Sequence, residues 1–127
     1  MTDFEIIGYI KTALLENEFG KLKNDILIVT DERVSHIRER HPEDYVFFKK
    51  YSKTVIENPD VIIKDLKNEN TVFMVGKISG INLNIVVKLI LSIENSVRLN
   101  SIMTFYRIRD KNLIKLEKKN KVLYKKE

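Results

Sequence analysis

The chain has 127 residues, 43% of them hydrophobic and 32% charged, no cysteine, and a net charge of +5 at neutral pH. One domain with a real core is the expectation, which excludes disorder as the default state, and the missing cysteines exclude disulfides, thiolate zinc sites and thiol nucleophiles. No apolar run approaches the roughly 18 residues that span a bilayer, and the opening residues lack the basic-then-apolar layout of a signal peptide, so a cytoplasmic protein without membrane contact is expected.

The charge is one-sided. Between Arg107 and Glu127 there are nine basic residues and three acidic ones, so this end carries +6 and the remainder −1. A basic end favours an anionic partner, nucleic acid first. A solubilising, lysine-rich tail would give the same pattern.

In chain order, Phe4, Ile7, Ile10, Leu14 and Leu15 have helical spacing between Asp3 and Glu18, although Gly8 weakens it and an extended Glu5 to Ile10 is the alternative. Ile26 to Val29 is a β-branched run that predicts a buried strand. Thr30 or Asp31 can cap a helix running to His41, and Pro42 stops its simple continuation. Pro42 suits the first turn of a second helix that extends to Glu57, with Glu43 and Asp44 at its positive end. Asn58-Pro59-Asp60 ends it. Strands follow at Val61 to Ile63, Thr71 to Ile78, Asn82 to Leu91 and Ser101 to Ile108, with a short one at Val122 to Tyr124. Helices first and then consecutive antiparallel strands predict an α+β arrangement.

The two histidines both lie on the first of these helices. At about 100° per residue, with Arg33 at zero, His36 and Arg40 fall near 300° and 340°. Val34, Ile37 and His41 fall near 100°, 40° and 80° on the adjoining apolar stripe. His36 is thus presented between two guanidinium groups, a set that suits a phosphodiester: the imidazole moves a proton near neutral pH while fixed cations hold the phosphate. An exposed Arg/His face and a structural His41 are the plain alternative. The five-residue spacing of the histidines splays them by about 140°, so no metal site is expected.

Asn100, Ile102, Thr104 and Tyr106 alternate along one predicted strand, and their amide and hydroxyl groups could grip phosphate oxygens. A half-exposed strand favours Thr and Tyr in any case. Lys88 interrupts an otherwise aliphatic strand, as an edge gatekeeper or as a charge facing a site.

The string Ile28-Val29-Thr30-Asp31-Glu32-Arg33-Val34-Ser35-His36-Ile37-Arg38-Glu39-Arg40-His41-Pro42 resembles the opening motif of the phage-type nucleases of the barnase–EndoU–colicin–RelE superfamily. Asn58-Pro59-Asp60, Lys67-Asn68-Glu69-Asn70-Thr71, Asn100-Ser101-Ile102-Met103-Thr104 and Leu123-Tyr124-Lys125 resemble its later motifs, in order. The resemblance implies N-terminal helices packed on a four-stranded antiparallel sheet, as in the barnase/RelE-like ribonuclease fold. It implies a metal-independent endoribonuclease without cofactor, in which the substrate's 2′-OH attacks the adjacent phosphate to leave a 2′,3′-cyclic phosphate. Carried over, His36 is the first choice for base or acid, Arg40 binds the scissile phosphate, and His41 is a second proton carrier or an orienter. Thr104, with Asn100 and Ser101, would hold the phosphate or the 2′-OH; Arg33, Lys88 and Tyr106 are the remaining substrate contacts. The implied partners are RNA, with tRNA one candidate, and an immunity or antitoxin protein if the chain is a phage or mobile-element toxin. Two rival classes are a non-catalytic RNA-binding module and a protein adaptor with Tyr45 to Tyr51 as its surface.

Overall fold

The computed structural model describes residues 3–127. Phe4–Tyr9 is a strand, β1, followed by a 3-10 turn at Thr12–Leu14 and a short helix, α1, at Glu16–Phe19. The extended alternative therefore holds over the helical one. The cause is a bulge: β1 pairs antiparallel with β2 (Ile26–Thr30) as Ile6↔Ile28 and then Gly8↔Leu27, leaving Ile7 unpaired. One inserted residue breaks the period of two, so apolar residues three apart belong to a strand.

The Thr30 hydroxyl accepts from the backbone N–H of Arg33 (3.2 Å) and starts α2 (Asp31–Arg40), with acidic residues in its first turn and basic ones in its last. α3 (Pro42–Glu57) opens on its proline. Next come β3 (Val61–Lys64), β4 (Thr71–Ile78), β5 (Ile81–Lys88), β6 (Asn100–Arg107), α4 (Asp110–Lys119) and β7 (Lys121–Lys125). Ser79 and Gly80 both have positive φ (51° and 77°), and they close the β4–β5 hairpin as its two turn residues.

The expected four-stranded antiparallel sheet beneath N-terminal helices is not what the chain builds. Among the described residues seven strands form one mixed sheet, ordered β1-β2-β6-β5-β4-β3-β7. Four of them, β3 to β6, form the antiparallel meander that the strand signals describe. β2 joins β6 in parallel, β1 extends the sheet beyond β2, and β7 pairs with the outer edge of β3. The helices are not all N-terminal either. α4 follows β6, in the segment whose lysine density reads as a tail.

One sheet face carries α2 and α3. Ile37, Phe48, Val55 and Ile56 pack there on Met74, Ile85, Ile102 and Phe105, with Phe48 and Phe105 edge to face at 5.2 Å. On the opposite face Leu113 and Leu116 of α4 cover Val61, Ile63, Phe73 and Val75 of β3 and β4. Toward β1 that second face stays open, and Phe4, Ile6 and Tyr9 are half exposed. Among the described residues no helix is long and apolar enough to cross a membrane.

Candidate functional site

β6 organises the polar residues. β2 accompanies it only at Leu27↔Asn100 and Ile28↔Ser101, then turns into α2, which lies against β6. A bulge interrupts β6 at Met103: Val87 pairs with Ile102, and Val86 with Thr104. Ile102 and Phe105 both face the α2/α3 core, whereas Tyr106 belongs to the opposite cluster with Val86. The strict alternation expected from Asn100 to Tyr106 is corrected accordingly. Thr104 and Tyr106 do share a face, and Ser101, paired with Lys88, joins them. Asn100 goes to the other side.

Asn100 is 1% exposed and its amide is occupied inside the scaffold. Its Nδ2 donates to the carbonyls of Asn24 (3.0 Å) and Ile26 (2.9 Å), and its Oδ1 accepts from the N–H of Ile90 (2.8 Å). It ties β6 to the approach to β2 and to the chain after β5.

His41 does not enter the core as the helical projection predicts. It ends α2 and precedes Pro42, and its non-helical backbone (φ −134°, ψ 62°) swings the ring out of helical phase. Its side chain is 40% exposed, with Nδ1 3.9 Å from Asp44 Oδ2 and the ring centroid 6.2 Å from that of Tyr106. Arg107 completes this corner. Its Nε and its backbone N–H donate to the two Asp44 oxygens, Nη2 reaches Glu43 (3.2 Å), and the guanidinium lies over the Phe47 ring. Hydrogen bonding to Asp44 raises the Arg107 pKa above its ordinary value, so the guanidinium stays charged. An open cleft of about 530 Å³ adjoins this corner, lined by Asp44, Arg107, Arg109, Asn82 and Asp110 among others.

Arg33 and His36 line a separate open cleft of about 540 Å³, where Glu32 and Glu39 accompany them. Arg40 is exposed and has no ion pair among the described residues. Lys88 and Ser101 line a third cleft, about 630 Å³, with Thr71, Arg98 and Met103. The structure thus brings together His41 with Tyr106, Arg33 with His36, and Lys88 with Ser101. It separates His36 from His41 and Asn100 from Thr104.

Asp44 and Arg107 are the residues that sequence reasoning missed as site components. The available signal was Asp44 itself: an acid four and seven residues before Phe48 and Tyr51 falls on the buried stripe of α3, where an unpaired carboxylate is costly. Compared with known proteins, the chain matches no family model, no curated protein and no solved structure.

Proposed function

We propose that the chain is a metal-independent endoribonuclease that cleaves by 2′-OH transesterification, with its reacting centre at the His41–Tyr106 corner. The observation that carries this reading is the partly exposed imidazole of His41 near both the Asp44 carboxylate and the Tyr106 ring. At 3.9 Å the Asp44 carboxylate is an anionic neighbour beyond hydrogen-bond reach of Nδ1, so the imidazole is left to exchange a proton. Arg107 hydrogen-bonds both oxygens of Asp44 and so fixes where that carboxylate stands relative to the ring.

The chemistry needs few groups. A base removes the 2′-OH proton, the 2′-oxygen bonds to phosphorus, the P–O5′ bond breaks, and an acid returns a proton to the 5′-oxygen. In this reading His41 takes one of the two proton roles, Tyr106 supplies the other, and Thr104 on the same strand contacts the phosphate oxygens. Arg40, charged and unpaired one residue before His41, holds the phosphate and the charge that develops on it. Arg33 and His36 continue the same helix and extend the backbone contact. A role as a phage or mobile-element toxin, with an immunity partner, belongs to this reading as an expectation.

The test is incubation of the purified protein with total RNA in excess EDTA, beside His41→Ala, His36→Ala and Arg40→Ala. New ends carrying cyclic phosphate are expected. They should slow by about 10²- to 10⁴-fold in His41→Ala, the usual worth of a general acid or base. A loss confined to His36→Ala moves the centre to the Arg33/His36 cleft. Salt-sensitive RNA retention without cleavage replaces the enzyme with a binding module of the same architecture.

A further inference from the structure

The core beneath α4 contains an amide with no partner. Along β5, Leu83, Ile85 and Val87 point into the α2/α3 core, so Asn84 faces the other way. There it lies between Val75 of β4 and Tyr106 of β6, both members of the cluster that α4 covers. Asn84 is 0% exposed, and neither its Nδ2 nor its Oδ1 makes a hydrogen bond among the described residues. Asn82, two residues earlier on the same face, has the ordinary solution: its Nδ2 donates to Asp110 Oδ1 at 2.6 Å. A buried amide left unpaired is costly, because folding removes its hydrogen bonds to water and returns none.

The helix above it is lightly seated. α4 leaves the end of β6 and leads to β7, which lies beyond β5, β4 and β3 in the sheet. The four strand spacings from β6 to β7, at about 4.8 Å each, make about 19 Å, and the 10 residues of α4 span about 15 Å. The helix is therefore a strap laid across the strands. Both of its ends are tied: Asn82 holds Asp110, and Asn120 Oδ1 accepts from the N–H of Leu66 (2.9 Å). Between the ties, Leu113 is the one buried residue of α4 among the described residues; Leu116 is partly buried, and Ile114 is half exposed. A segment held by so little apolar contact opens before the sheet beneath it does.

We propose that α4 is a lid, closed at the cost of leaving Asn84 unpaired, and that lifting it hydrates the Asn84 amide and loosens the packing around Tyr106. The unpaired amide narrows the free-energy gap between closed and open forms, so it sets how often the lid opens. Tyr106 packs in this cluster and also stands beside the His41 ring, which links the lid to that corner. Opening does not depend on the ribonuclease reading, and its test uses no RNA.

The experiment is native-state hydrogen exchange on the full chain, followed residue by residue by NMR in the parent, Asn84→Leu and Asn84→Val. Parent amides from Leu113 to Lys119 should exchange faster than those of β4 and β5, at rates that low urea hardly changes, as a local opening does. Leucine keeps the branched shape of asparagine without its polar atoms. It should favour the closed form and slow exchange in α4 by about 5- to 150-fold. Valine, one heavy atom shorter, should act in the same direction and guards against overpacking by leucine. Slowing in either variant supports the proposal. Amides of α4 that exchange only together with β4 and β5, by unfolding of the whole chain, overturn the lid. Unchanged or faster exchange in both variants overturns the role of Asn84. Loss of the fold in both does so too, because the amide then has a partner that the core requires.

Discussion

Asn100 shows how a single side chain can look like a ligand contact and act as a joint. Its three hydrogen bonds all end on backbone atoms, two ahead of or within β2 and one in the chain leaving β5. Asn100→Ala leaves two carbonyls and one N–H without their buried partner, at about 1–3 kcal/mol for a group left unsatisfied. A loss of about 2–4 kcal/mol in unfolding free energy is expected from urea titration, with cleavage per folded molecule close to the parent's. A phosphate clamp would give the reverse: parental stability and a reaction slowed in its chemical step. His41 carries the complementary lesson. Its position after the last helical turn, not its place on a helical projection, decides what it faces, and the turn into Pro42 carries it to Tyr106. The histidines as candidates, and their splay, were legible in the sequence; the side that His41 faces was not, because it depends on where α2 stops.

At the scale of elements, α3 meets the sheet at a glycine. A Cβ built on Gly76 of β4 would stand 2.5 Å from Val55 Cγ2, closer than any real Cβ contact, so the helix approaches the strand only because the side chain is absent. Gly76→Ala should cost about 1–3 kcal/mol by overpacking. Val55→Ala on its own should also destabilise, by loss of buried methyls. The double variant should recover part of the Gly76→Ala loss, and a double-mutant cycle in denaturant reads the coupling; strict additivity would refute the contact. The same elements mark what was legible. α2, α3, β4 and the β3–β6 meander follow from caps, Pro42 and turn residues, all of which are local. The rest is non-local. Parallel insertion of β2 beside β6, and β7 on the far side of β3, are pairings between distant segments that no window of sequence contains. α4 escaped for another reason. Only Leu113 and Leu116 mark its inner side, and lysines surround them.

At the scale of the whole molecule, charges both tie the chain together and leave one surface free. Glu18 of α1 accepts from Lys64 of β3 (2.8 Å) and Lys121 of β7 (2.6 Å), joining an early helix to the last strand. These two hydrogen bonds, Lys121 first, lower the Glu18 pKa from 4.5 to about 2. A lowered carboxylate pKa stabilises the fold fully above its unfolded value and loses that contribution as pH falls toward the folded one. Stability should therefore decline between about pH 4.5 and pH 2, and Glu18→Gln should flatten that stretch of the melting-temperature profile. An unchanged profile would place the acid sensitivity elsewhere. With Lys121 engaged there, Lys125 on Glu117 and Arg107 on Asp44, the basic excess that remains free lies chiefly on α4. Lys111, Lys115 and Lys118 are exposed and fall within about 60° of one another, on the side of the helix opposite Leu113. On a helix packed over the β3–β4 half of the face whose other half is open, that stripe can add phosphate contacts beyond the reacting corner. Each contact to single-stranded RNA contributes about 0.7 to the slope of log affinity against log salt concentration. Replacing the three lysines by glutamine should therefore make that slope shallower by about 2 and weaken binding at low salt. Single-turnover cleavage at saturating RNA should stay at the parental rate, since none of the three reaches His41. A parental slope in the triple variant would return the stripe to the role of a solubilising surface.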